Sequence, residues 1–141
     1  MKTLYTAKAH SEGGRLGHTR SDDGVIDLKI TIPKVMGGPG APGATTPEDL
    51  FAAGYAACFG SACDFMAKQM KVPVKKVAID AQVAIGSLDG GGFGLAVLLQ
   101  AMIEGVSEAE ANRVVEAAHR ICPYSNATRN NIRVDISVKA T

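Results

Sequence analysis

The sequence predicts an α+β fold in which antiparallel strands pack on helices. Three observations carry that expectation. A long, almost wholly apolar segment from Leu50 to Phe65 carries the start signals of a helix; Val77 to Ile85 and Phe93 to Ile103 flank the turn-forming run Ser87-Leu88-Asp89-Gly90-Gly91-Gly92; and Arg133 to Lys139 alternates Val134, Ile136 and Val138 with polar residues. With 141 residues the chain suits one compact domain over 1–141 and is too short for two full cores.

Taken in order, Leu4 to His10 reads as a strand and Gly13-Gly14 as a turn. Val25 to Ile32 reads as a second strand, entered from Asp23-Gly24 and closed by Pro33. Residues 37–46, rich in Gly and Pro, hold no regular structure and are expected to form a loop. A well-specified helix follows: Thr46 suits the N-cap, Pro47 the first turn, and Glu48 and Asp49 set negative charge against the positive end of the dipole. From Leu50 to Phe65 it is apolar or small on nearly every side, so it is expected to be a long central helix buried in the middle of the fold. A hairpin comes next. Ser107, with Glu108 and Glu110, opens a second helix to about Ile121, striped by Val114, Val115 and Ala118 and stopped by Pro123. The alternation from Arg133 to Lys139 makes a final half-buried strand. A small sheet covers so long an apolar helix poorly, so a dimer is the expected remedy.

Composition excludes several function classes. Apolar residues make up 46% and charged ones 21%, and 15 basic against 14 acidic side chains leave a net charge of +1. No basic stripe with interleaved aromatics is present, so nucleic acid is not an expected partner. The longest apolar run, Leu50 to Phe59, falls short of the ~20 residues that span a bilayer, so no membrane span is expected. Met1-Lys2-Thr3-Leu4-Tyr5 lacks the apolar core of a secretory signal, and the expected compartment is the cytoplasm. In a reducing compartment a disulfide is more often catalytic than structural. The three cysteines, Cys58, Cys63 and Cys122, cannot all pair within one chain.

From the residues alone, Cys58 has two readings: a small hydrophobe packed in a buried helix, or a reactive thiol. Cys122 lies where a helix ends, in Cys122-Pro123-Tyr124-Ser125-Asn126, among residues that turn the chain. Cys63 stands about 140° around the helix from Cys58, and its expected role is packing. Positions five apart on a helix have Cα atoms roughly 8–9 Å apart, beyond the ~7 Å reach of a disulfide, so 58 and 63 do not bridge. A nucleophilic thiol so far into a helix needs a cation from elsewhere; Arg15, after Gly13-Gly14, and Glu48 are the charged candidates, each otherwise a solvated surface group. His119 and Cys122 sit one turn apart, yet Cys-x4-Cys matches no usual zinc spacing, and no metal is expected.

Five segments in order resemble the organic hydroperoxide resistance (Ohr) proteins, a branch of the OsmC-like superfamily: Gly13-Gly14-Arg15, residues 23–27, residues 46–59 around Cys58, Gly91-Gly92-Phe93-Gly94-Leu95, and residues 122–129. The resemblance implies an OsmC/Ohr-like fold in an intertwined homodimer. It implies that Cys58 is the peroxidatic and Cys122 the resolving cysteine of an organic hydroperoxide reductase, that Arg15 stabilises the Cys58 thiolate, and that Glu48 holds the guanidinium by a bidentate pair. It implies no bound cofactor or metal, and recycling by dihydrolipoyl groups on a lipoylated carrier protein more than by thioredoxin. Leu16, His18 and Asn131 depart from the family pattern, the loop before Thr46 looks one residue longer, and Cys63 is an extra thiol. An OsmC-subgroup peroxidase of broader specificity, and a redox sensor or binding module that forms the disulfide without turnover, are the rival readings.

Overall fold

The computed structural model describes residues 1–141 and divides into two compact units, Met1–Leu50 and Phe51–Thr141, described in turn.

In the first unit β1 (Ala9–Glu12), β2 (His18–Ser21) and β3 (Asp27–Lys29) form an antiparallel meander in the order β1-β2-β3. The expected strand from Leu4 begins only at Ala9, where Ser21 of β2 is there to pair with it; Leu4 and Tyr5 are exposed. Between β1 and β2 the chain makes a single 3₁₀ turn over Gly14–Leu16, entered through Gly13 and Gly14 at φ 73° and 56°, a left-handed region where glycine alone is unstrained. The expected strand over 25–32 is shorter, because residues 22–25 are still turning and Ile30 makes only an isolated bridge to Thr45. The Gly- and Pro-rich loop runs on to α1 (Pro47–Gln69). Thr46 caps that helix as expected: its Oγ1 accepts from the Asp49 N–H at 3.1 Å, and Asp49 Oδ2 accepts from the Thr46 N–H at 3.1 Å, the reciprocal capping box.

In the second unit β4 (Lys76–Ser87), β5 (Phe93–Glu104) and β6 (Arg133–Ala140) form a sheet in that order. The expected hairpin is present, with β4 antiparallel to β5 from Lys76↔Glu104 to Ser87↔Phe93. β6 corrects the antiparallel expectation, since it pairs parallel to β5 from Ala96↔Arg133 to Ile103↔Ala140. The reason is the connection: α2 (Glu108–Ile121) and α3 (Pro123–Thr128) carry the chain back to the end of the sheet where β5 began, which is the crossover a parallel pair requires. Pro123 is likewise more than a stop. It occupies the first turn of α3, where its missing N–H is not needed, so Cys122 closes one helix and opens the next.

The core joins Val97, Leu99, Ala101 and Ile103 of β5 to Val114, Val115 and Ala118 of α2 and to a stripe on α1, Tyr55, Phe59, Ala62, Cys63 and Ala67. That stripe repeats with helical period, and burial therefore covers one side of α1 in the single chain; Phe65 is 54% exposed. At 23 residues α1 is longer than the run counted in the sequence and is long and apolar enough, by length and composition, to cross a membrane. Here its stripe is buried in the core.

Candidate active site

The first pair of site residues is charged. The 3₁₀ turn presents Arg15, and the first turn of α1 presents Glu48. Their side chains meet in parallel, Nη1 to Oε2 at 2.9 Å and Nη2 to Oε1 at 2.5 Å, the bidentate geometry of a guanidinium on a carboxylate. These hydrogen bonds hold the Glu48 carboxyl below its ordinary pKa and raise that of Arg15. A cavity of about 270 Å³ lies beside the pair, lined by Gly14, Arg15, Thr19, Ile30, Pro47 and Leu50.

The second pair is made of thiols. Cys58, in mid-α1, and Cys122, at the α2–α3 junction, bring their sulfurs to 3.6 Å. Both are free thiols, Cys122 buried and Cys58 half-buried. That separation is van der Waals contact, ready for a bond but not yet bonded. Burial pushes the Cys58 thiol above its ordinary pKa, with the backbone N–H of Tyr124 working the other way and the Cys122 thiol adding to the rise. Cys63 is fully buried, and burial drives it to about 12, so at neutral pH it is an inert thiol in the core.

The four expected residues thus fall into two pairs, Arg15 with Glu48 and Cys58 with Cys122. Sequence reasoning assigned no role to Tyr124 or to the hydroxyls near the thiols. Tyr124 lies against α1 with its ring 5.5 Å from Tyr55 and 6.0 Å from Phe51, and a Cβ on Gly54 would come within 2.7 Å of its hydroxyl. Tyr55, Ser125 and Thr128, all buried, make a polar cluster there with the half-buried His119. Its signal was a tyrosine hydroxyl in an otherwise apolar helix stretch, which must find a partner if buried. No three His, Cys, Asp or Glu side chains gather as metal ligands would.

The family model described as OsmC-like protein matches residues 38–137, more than half of the chain. The chain belongs to the OsmC/Ohr family. An organic hydroperoxide resistance protein of Xanthomonas axonopodis pv. citri is 47% identical over 138 residues, which cover 97% of this chain and 96% of that one. The organic hydroperoxide resistance protein OhrB of Bacillus subtilis is 43% identical over 96% of this chain and 98% of its own. Among solved structures, an organic hydroperoxide resistance protein from Elizabethkingia anophelis, with thiocyanate bound, superposes with a TM-score of 0.94 at 48% identity, covering 100% of both chains. The OsmC-like match contains Glu48, Cys58 and Cys122, whereas Arg15 lies ahead of it, in the part covered by the near full-length Ohr relatives.

Proposed function

We propose that this OsmC/Ohr protein is a thiol-dependent peroxidase acting as one domain on organic hydroperoxides. The observation that carries the reading is the pair of free thiols with sulfurs 3.6 Å apart, one half-buried and one buried, in a chain whose relatives are named for organic hydroperoxide resistance. The Cys58 thiolate attacks the outer oxygen of R-O-O-H. The O–O bond breaks, the alcohol leaves, and Cys58 is left as a sulfenic acid, which Cys122 condenses to a disulfide with loss of water. An external dithiol, of the dihydrolipoyl type on a lipoylated protein, returns both thiols.

In this reading Arg15, oriented by Glu48, stabilises the Cys58 thiolate and the departing oxygen. The need for such a cation is plain from burial, which by itself favours the neutral thiol. Phe51 and Tyr124, the aromatic rings beside the thiols that are not fully buried, pack edge to face at 6.0 Å, which supports an apolar substrate over hydrogen peroxide. The exposed apolar side of α1 supports the homodimer, and the reducing chemistry supports a cytoplasmic setting.

Peroxide consumption with cumene hydroperoxide and hydrogen peroxide, each driven by dihydrolipoamide or by thioredoxin, tests reaction, substrate and donor together. The expected result is turnover with cumene hydroperoxide and dihydrolipoamide. Equal rates with both peroxides would favour the broader OsmC-type activity. A single oxidation that no dithiol reverses would make the chain a sensor and end the peroxidase reading.

A further inference from the structure

A phenol placed wholly inside a protein has to spend its hydrogen-bonding capacity there. Tyr55 is fully buried, and its Oη lies 3.0 Å from Ser125 Oγ and 3.2 Å from Thr128 Oγ1, both on α3 and both buried. Ser125 Oγ is in turn 2.9 Å from Nδ1 of His119 on α2, and Thr128 Oγ1 is 2.9 Å from the carbonyl of Tyr124. Each hydroxyl has one proton, so the directions are linked. Thr128 donates to the Tyr124 carbonyl and so accepts from Tyr55; Tyr55 then accepts from Ser125 and Ser125 from His119, an order that requires the His119 proton on Nδ1. Burial and the nearby Arg129 hold His119 below its ordinary pKa, in keeping with a neutral ring. One unbroken line of donors runs from α2 through α3, and Tyr55 is its single member from α1.

Tyr55 precedes Cys58 by three residues and Ser125 follows Cys122 by three, so the elements joined by the hydroxyls also carry the two sulfurs. The thiols hold each other weakly, because S–H is a poor donor and sulfur a poor acceptor. The hydroxyl line is the stronger tie between α1 and the α2–α3 junction.

We propose that Tyr55 is a positioning residue for disulfide closure, whose hydroxyl, shared by Ser125 and Thr128, keeps the Cys122 sulfur beside Cys58. The proposal rests on the peroxidase reading and adds to it the group that governs its second step. In that step the Cys122 sulfur attacks the Cys58 sulfur, the S–O bond breaks, and oxygen leaves as water with the Cys122 proton. Cys122 is oxidised as the sulfenic acid is reduced. The sulfurs must close from 3.6 Å to a bond of about 2.05 Å, and a loosened junction lowers their effective concentration without touching the first step.

The test uses 4,4′-dithiodipyridine on the reduced full chain. Cys58 attacks the probe and releases one thiopyridone, leaving a mixed disulfide; Cys122 then displaces the second thiopyridone as the protein disulfide forms. In Tyr55→Phe the first release is expected within about twofold of the parent and the second slowed about tenfold, the scale of one net hydrogen bond. Thr128→Val is expected to slow the same phase and Thr128→Ser to restore it, which keeps the proposal open to refutation if Tyr55→Phe folds poorly. With organic hydroperoxide, Tyr55→Phe is expected to accumulate more Cys58 sulfinic acid per turnover. An unchanged second phase in Tyr55→Phe and Thr128→Val, or loss of melting temperature with no change in the ratio of the two phases, overturns the proposal. A parent that closes its disulfide with the probe but consumes no peroxide overturns the peroxidase reading while leaving the positioning role of Tyr55 standing.

Discussion

The Arg15–Glu48 pair and the Cys58–Cys122 pair are held by opposite physics. The first is a charge-assisted bidentate contact beside a small, largely exposed sheet, where water reaches the guanidinium, and each partner favours the other's charged form. The second is a contact of two thiols, one half-buried and one buried, where burial opposes charge at Cys58 and the neighbours are hydroxyls and rings. A peroxidatic thiol must be charged to react and shielded to be selective. The proposed peroxidase divides those demands between the pairs, with charge at Arg15 and Glu48 and the attacking sulfur at Cys58.

The sharpest break of that comparison is Cys58→Ser, expected to bring peroxide consumption to background, since the reacting sulfur is gone while Cys122 stays buried. Cys122→Ser is expected to allow one oxidation and then stall, with Cys58 passing to sulfinic and sulfonic forms under excess peroxide; intact-protein mass spectrometry reads the added oxygens. Arg15→Ala should lower activity at neutral pH about a hundredfold, the usual loss when one oxyanion-stabilising donor is removed. The Cys58 alkylation midpoint should rise with it, because burial is then unopposed by that cation; an unchanged midpoint removes Arg15 from the mechanism. Glu48→Gln should cost less, about tenfold, the scale of one charged hydrogen bond. The native Glu48 pKa is depressed, so the contribution of the pair is present above the ordinary carboxylate range and is lost as pH falls through that lowered value.

The smallest effect on turnover is expected for Cys63→Ser, which should keep nearly full activity, yet it should be visible in stability. With its native pKa raised to about 12, Cys63 keeps a proton that the unfolded chain gives up above about 8.5. Stability should therefore fall as pH rises through that window, by up to about 1.4 kcal/mol per pH unit. Urea unfolding of parent and variant at pH 8 and pH 10 checks it: the alkaline loss should be smaller in Cys63→Ser. Peptide mapping after oxidation should show the 58–122 bridge, and a dominant 58–63 bridge would mean that α1 does not hold its helical geometry in the oxidised protein.

The amino-acid order alone determined the elements whose signals are local. Thr46-Pro47-Glu48-Asp49 announced α1 because a helix start is satisfied by its own first turn, and Ser107 with Glu110 announced α2 for the same reason. The long hairpin was legible in two apolar runs around glycines. The residues of the proposed site came from resemblance, whose segments pointed to Arg15, Glu48, Cys58 and Cys122, whereas the pattern around Cys58 by itself favoured a packing residue. β2, His18–Ser21, left no trace because it has no apolar alternation and exists through its pairing with β1 and β3. Whether β6 would join parallel was decided by the crossover, since alternation reports which face is buried and not the direction of the neighbour. The tertiary structure alone set two sulfurs, 64 residues apart, at 3.6 Å and threaded His119, Ser125, Tyr55 and Thr128 into one line of donors. Contacts between distant segments depend on how helices pack, and packing is a property of the whole core that no local pattern encodes.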